Sequence, residues 1–414
     1  MRGRYGAFRI ASRQAVLVAL GGAESVSLVG TQVTLVAVPL VAVQQLGASS
    51  TTMGLLSAAG WLPIVVFGLL AGAYVDRGRP VWIMVASNMV RLVLISLIPV
   101  AYATSMLSVP ILLAVVFAAG IGAVFFDVAY QTYLPQTVSR ENLATANSRL
   151  ELSRSVAQLL GPAAAGLLVT ALSAPTAVLV DAASFAVAVL LLAPLWRAPE
   201  ASVVQPRVNQ GMVASIREGI GFIRGSAMIS LVITAASASN LFTAGAMALQ
   251  VLFAVQLLGM SPAELGLALT LEGGAALAAA ALAPWLTRRI GERGIVFASF
   301  CLMTAGAVLL FLAPAYGGLV LFASAQLCFG LSAPLINITL VTMRQRLTPP
   351  QLLGRVNAAA RVAIMSTLPI GAAGFGAVAG AVGMPTTFLV IAVGLLVVAV
   401  AWQVRTPRRA GGAE

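Results

Sequence analysis

The sequence has no histidine, no lysine, two cysteines, and charge on only 9% of its residues. Each shortage excludes something. Without histidine the chain lacks the commonest metal ligand and the usual proton shuttle. Cys301 and Cys328 both lie in apolar runs, and their spacing fits neither a metal site nor a disulfide framework. No Gly-Lys-Ser/Thr phosphate loop and no Gly-x-Ser-x-Gly elbow occurs, so the chain is not read as an enzyme and no metal or cofactor is expected. A soluble domain carries about 25% charged residues. Twenty-four arginines and twelve carboxylates cannot give 414 residues a water-facing surface.

What is present is apolar sequence, 60% of the chain. It falls into twelve runs, roughly 15–43, 53–75, 81–102, 108–131, 143–170, 174–196, 226–255, 262–286, 294–313, 317–340, 352–380 and 384–403. Each is long enough to cross about 30 Å of hydrocarbon as a helix. None alternates as a barrel strand does. The expectation is an all-α polytopic membrane protein with twelve transmembrane helices. The arginines occupy alternate turns, from Arg2, Arg4, Arg9 and Arg13 to Arg405, Arg408 and Arg409, while the turns near 44–52, 103–107 and 256–261 have none. That pattern is a topology signal and not a nucleic-acid groove, and it places both termini in the cytoplasm.

The polar, proline-containing stretch 199–225 divides six spans from six, and its second part reads as a short amphipathic helix on the inner surface. The expected organisation is an N-terminal half over 1–198, this linker, and a C-terminal half with its tail over 226–414. An internal repeat agrees. Shifting the chain by about 210 residues lays Leu143 on Leu353, Asn147 on Asn357, Gly161 on Gly371 and Gly166 on Gly376. Asp127 then meets Asn337, and Glu151 meets Arg361.

The turn "GAYVDRGRP" resembles the loop between the second and third spans of the major facilitator superfamily, with Gly72, Asp76, Arg77, Gly78 and Arg79 in register. Pro80 stands where a further arginine is common. "GPAAAG", with Gly161, Pro162 and Gly166, resembles the fifth-span antiporter motif, with Ala165 in place of one glycine. The wider chain is similar to the drug and siderophore exporters of that superfamily. The resemblance implies a fold of two six-helix halves, alternating access, and a gating role for the Gly72–Arg79 turn. With the Arg-only, Ala/Val/Gly-rich usage, the expected location is a bacterial cell membrane, and a monomer is expected, since one chain can contain the whole pathway.

A charge at the bilayer centre costs at least about 2.5 kcal/mol, so ionisable residues inside the runs need a cavity or a partner. Glu24 shares a helical face with Ser27 and Thr31, with Gln32 close by. A carboxylate there can take a proton or bind a cationic substrate. Asp127 with Gln131 one turn on, Glu272 beside the glycine pair 273–274, and Arg91 complete the proton-coupling or substrate-binding candidates. Arg149, Glu151, Arg154, Asp181 and Arg361 are expected to form structural or gating contacts.

The function expected is secondary active transport: proton-coupled export of small amphipathic or cationic compounds, with the proton gradient as energy source and membrane lipids as surroundings. Export of a siderophore or another specific metabolite is the alternative. A non-transporting membrane sensor is a further one, opposed by the retained Asp76–Arg77 turn.

Overall fold

The computed structural model describes residues 2–137, 140–197 and 212–406. The described residues form helices joined by short turns: α1 (Arg2–Leu46), α2 (Ser50–Val75), α3 (Pro80–Ala103), α4 (Val109–Thr137), α5 (Arg140–Leu172), α6 (Ala174–Leu192), α7 (Met212–Gly225), α8 (Ala227–Leu252), α9 (Pro262–Tyr316), α10 (Gly318–Leu347), α11 (Leu353–Val382) and α12 (Met384–Arg405). A 3₁₀ turn, Ala193–Arg197, prolongs α6, and a π-helical turn, Phe253–Leu257, prolongs α8. The proline-containing part of the expected linker lies outside the described residues.

Every one of these helices except α7 is long and apolar enough to cross a membrane. The 55 residues of α9 would measure about 80 Å at 1.5 Å per residue, far more than about 30 Å of hydrocarbon. It therefore contains two crossings, and the total is twelve, as the apolar runs predict. The sequence suggests a turn between 286 and 294. Instead helix continues on both sides of one residue, Gly291, with φ 70 and ψ 168. That backbone region is essentially restricted to glycine. The corner is tied to α12: Arg293 Nη2 donates to the Gln403 carbonyl at 2.5 Å, and Trp402 Nε1 donates to the Arg293 carbonyl at 3.2 Å.

Large apolar side chains lie on the outside along the spans, among them Leu35, Leu190, Ile370 and Val404. Exposed apolar surface on this scale is unsuited to water and suited to lipid. Lipid tails are as apolar as leucine, so helices associate through close packing, which small residues permit.

Two compact units result. The first gathers the described residues of Met1–Ala48, Ala59–Pro206 and Ser261–Thr270; the second gathers those of Ser49–Ala58, Arg207–Met260 and Leu271–Glu414. The start of α2 thus packs with the second unit, and the start of α9 with the first. Both placements rest on glycine pairs. In the first unit Gly166 of α5 and Gly266 of α9 meet with no room for a Cβ on either side. In the second, a Cβ on Gly54 of α2 would lie 2.8 Å from the Gly376 Cα of α11.

The amphipathic helix α7 docks on α11. Gly219 lies against the Arg355 carbonyl, Glu218 pairs with Arg355, and Phe222 and Ile223 join an apolar cluster with Ile229, Val356 and Ala360.

Candidate functional site

The ionisable residues inside the spans of the first unit come together. Glu24 on α1 is 3% exposed and accepts a hydrogen bond from Arg154 Nη2 on α5 at 3.1 Å. Ser25, beside it, donates to Ser153 Oγ at 3.0 Å, so α1 and α5 are joined by two neighbouring polar contacts. Arg91 on α3 donates to Thr31 Oγ1 on α1 at 3.1 Å, and its guanidinium lies over the Phe185 ring of α6, 4.0 Å from the centroid. A Cβ on Gly122 of α4 would approach Arg91 Cγ to 2.9 Å, so this glycine makes room for the arginine stem. Asp181 on α6 is 1% exposed and accepts from Ser184 Oγ at 3.2 Å. Gly30 on α1 leaves the space that both Asp181 and Ser184 fill.

Asp127 on α4 is exposed and lies within charge–charge range of Glu24, Arg91 and Arg154. Arg91 is likewise within range of Asp181. The first unit thus assembles Glu24, Asp127 and Asp181 with Arg91 and Arg154. Fully ionised, these three carboxylates outnumber the two guanidiniums by one, and exposed Glu151 also lies within charge–charge range of Arg154. Charges interact strongly at low dielectric, as at buried Glu24 and Asp181, and less where solvent screens them, as at exposed Asp127 and the 34%-exposed Arg154 side chain.

The other predicted residues divide. Gln32 packs against Gly161, which gives the antiporter-like segment a packing role: α5 approaches α1 at Gly161 and α9 at Gly166. The Pro162 carbonyl faces Gly266 in the same crossing, and Ala163 N–H donates to Thr270 Oγ1 at 3.1 Å. Gln131, Arg149, Glu151 and Arg361 are exposed. Asp76, Arg77 and Arg79 are exposed in the turn between α2 and α3, where the backbone closes through Asp76 N–H to the Gly72 carbonyl at 3.0 Å and Gly78 N–H to the Val75 carbonyl at 3.2 Å. Arg79 caps α3, with Pro80 at its first position.

Glu272 belongs to the second unit. Its Oε2 accepts from Gln326 Nε2 of α10 at 3.2 Å, and the same nitrogen donates to Gln250 Oε1 of α8 at 3.2 Å. Sequence reasoning singled out Glu272 and passed over both glutamines, as it passed over Phe185 under Arg91. An amide inside an apolar run is a weaker signal than a charge, and only the tertiary contact shows it as a partner.

Comparison with known proteins places this geometry. The family model of the Major Facilitator Superfamily matches residues 20–372 and 232–414. The chain is 29% identical over 396 residues to the multidrug efflux pump Tap of Mycolicibacterium fortuitum, covering 90% of this chain and 91% of that protein. It is 23% identical over 201 residues to macrolide efflux protein A of Streptococcus pyogenes, 49% of each chain. Among solved structures, the nucleoside transporter NupG matches with a TM-score of 0.77 at 14% identity, covering 95% of this chain and 99% of that one. A bacterial homologue of the iron transporter ferroportin matches with a TM-score of 0.72 at 16% identity, covering 97% and 99%. The chain, with its twelve crossings and two units, belongs to the Major Facilitator Superfamily and is a multi-pass membrane transporter.

Proposed function

We propose that the protein exports small amphipathic, drug-like compounds from a bacterial cell in exchange for protons, by alternating access. The observation that carries this reading is the excess negative charge of the Glu24–Arg154, Asp127 and Asp181–Arg91 cluster. One proton, or one cationic substrate, completes its neutrality, so the two compete for the same determinant. Exchange of proton for substrate follows from such competition. The efflux pumps among the relatives support the direction of transport. The arginine pattern supports a cytoplasmic location for both termini, and the exposed Gly72–Arg79 turn is assigned to gating between access states.

The same charge count weighs against an anionic siderophore as substrate. Arg91 is held among carboxylates, so an incoming anion would meet net repulsion.

The test is dye export in proteoliposomes under an imposed proton gradient, wild type against Glu24→Gln and Asp127→Asn. Wild-type transport should follow the gradient, and at least one of the two variants should abolish it while keeping its folded elution profile. Gradient-driven export at wild-type rate in both variants refutes the assigned coupling.

A further inference from the structure

The second unit holds a polar group the preceding reading does not use. Glu272 lies ten residues into α9, Gln250 near the end of α8 and Gln326 in the first half of α10. Glu272 Oε2 and Gln250 Oε1 both accept from the single Gln326 nitrogen, at 3.2 Å each. The amide thereby spends both its hydrogens. Its carbonyl oxygen, Oε1, is buried with no hydrogen-bond partner among the described residues, in a side chain only 1% exposed. Gly330 of α10 lets the helix backbones meet at this level: a Cβ there would strike the Glu272 carbonyl and lie 2.9 Å from Ala275 Cβ. The α8 strut is also irregular, since Gln250 is followed by the π-helical turn Phe253–Leu257, a distortion frequent at functional sites.

We propose that Glu272, Gln326 and Gln250 form a second proton-binding site, in which the Gln326 amide reports the ionisation of Glu272. With Glu272 ionised, the nitrogen of Gln326 faces it, as observed. With Glu272 protonated, its O–H becomes a donor and needs an acceptor. Turning the Gln326 amide presents Oε1 to that O–H, and turning Gln250 supplies a donor to the same oxygen. Either orientation makes two hydrogen bonds and leaves one end of the Gln326 amide unpaired. The unpaired end is the carbonyl oxygen in the first orientation and the NH2, the costlier group to bury unpaired, in the second, so the second forms only where a proton on Glu272 demands an acceptor.

The ligand is a proton and not an organic amine. The unpaired acceptor has essentially no exposed surface, and a proton, unlike an amine, needs no cavity of its own. Among the described residues no charged side chain acts on Glu272: α8 presents Gln250, and α10 presents Gln326 and Gly330. The site is thus built from groups separate from the cluster of the first unit. Its use in transport rests on the proton-coupled reading above, but its existence is measurable without transport.

The experiment is infrared difference spectroscopy of the full chain in lipid across a pH titration, following the carbonyl stretch of protonated carboxylic acid. Wild type and Glu24→Gln should both show the Glu272 band, Glu272→Gln should lose it, and Gln326→Leu should keep it at higher frequency because a hydrogen bond is gone. A spectrum of Glu272→Gln identical to wild type overturns the site, and an unmoved band in Gln326→Leu overturns the role of the amide. If Glu272→Gln does not fold, the Gln326→Leu shift decides alone. A wild type with this band but no gradient-driven export refutes the export reading and leaves the site standing; export without the band does the reverse.

Discussion

Removing Arg154 strands Glu24. The carboxylate is 3% exposed, and among the described residues Arg154 is the side chain that donates to it, at 3.1 Å. At an effective dielectric of about 20, unit charges at that separation attract by about 5 kcal/mol. Two effects reduce the net value. The Arg154 side chain is 34% exposed, so solvent screens the pair and partly replaces the guanidinium when it is deleted. Both groups have also given up hydration. We expect Arg154→Ala to destabilise the protein by about 2 kcal/mol, between the roughly 0–1 of a surface pair and the roughly 3–5 of a broken buried one. Glu24→Gln keeps an acceptor for Arg154 and removes the buried charge, so it should cost under about 1 kcal/mol. The double variant should recover most of the stability lost in Arg154→Ala, because no charge is left unpaired. Reversible unfolding in detergent, followed by circular dichroism through a double-mutant cycle, measures each value. An Arg154→Ala protein as stable as wild type, or a double variant equal to the sum of the singles, refutes the pairing.

Three further outcomes follow from packing and backbone. Gly54→Val should destabilise the second unit by about 1–3 kcal/mol through overpacking, since even a Cβ would lie 2.6 Å from the Ala372 carbonyl oxygen; Gly374→Ala, with open space around it, should leave the unfolding midpoint unchanged. Gly291→Ala should cost about 1–3 kcal/mol by strain at the corner of α9, read as a lowered thermal midpoint, and a midpoint equal to wild type would show that the corner relaxes. For α7, Glu218→Gln should raise amide exchange over 212–225 only slightly, because an exposed pair is worth about 0–1 kcal/mol, whereas Gly219→Val should raise it strongly by pushing α7 off the Arg355 carbonyl.

The spans were legible because a bilayer sets their length and composition together. The hydrophobic runs alone locate twelve crossings, even where one helix carries two of them through Gly291. Glu24, Asp127, Asp181 and Arg91 were legible for a related reason: charge inside such a run is costly enough to need explanation. What the runs do not encode is which charge meets which. Arg154 reads only as a residue making structural or gating contacts, and its partner is Glu24, 130 positions away. Gly161 and Gly166 read as an antiporter-like motif, and their contacts are those of tight helix crossings. The irregular end of α8 has no sequence marker of its own, since Phe253–Leu257 is as apolar as the helix before it.

The internal repeat keeps packing and discards the charges of the buried cluster. Under the 210-residue shift, Gly161 and Gly371 do the same work: one brings α5 onto α1 at Gln32, the other brings α11 onto α8 at Leu241. Gly166 and Gly376 are equivalent in the same way, each receiving the first turns of a helix that packs outside its own half of the chain. The ionisable positions behave differently. Glu24, Arg91 and Asp181 fall on Thr234, Cys301 and Ile391, and Glu272 falls on Leu62. The physical reason is one of cost. Close crossings are needed in both units, because lipid gives helices no hydrophobic reason to associate. Each buried charge instead adds about 2.5 kcal/mol or more unless neighbours compensate it. The five-residue cluster of one unit is partly compensated, Glu24 by Arg154 and Asp181 by Arg91 within charge–charge range. In the other, one carboxylate supported by two neutral amides adds a titratable group without the guanidiniums that a second ionised network would require.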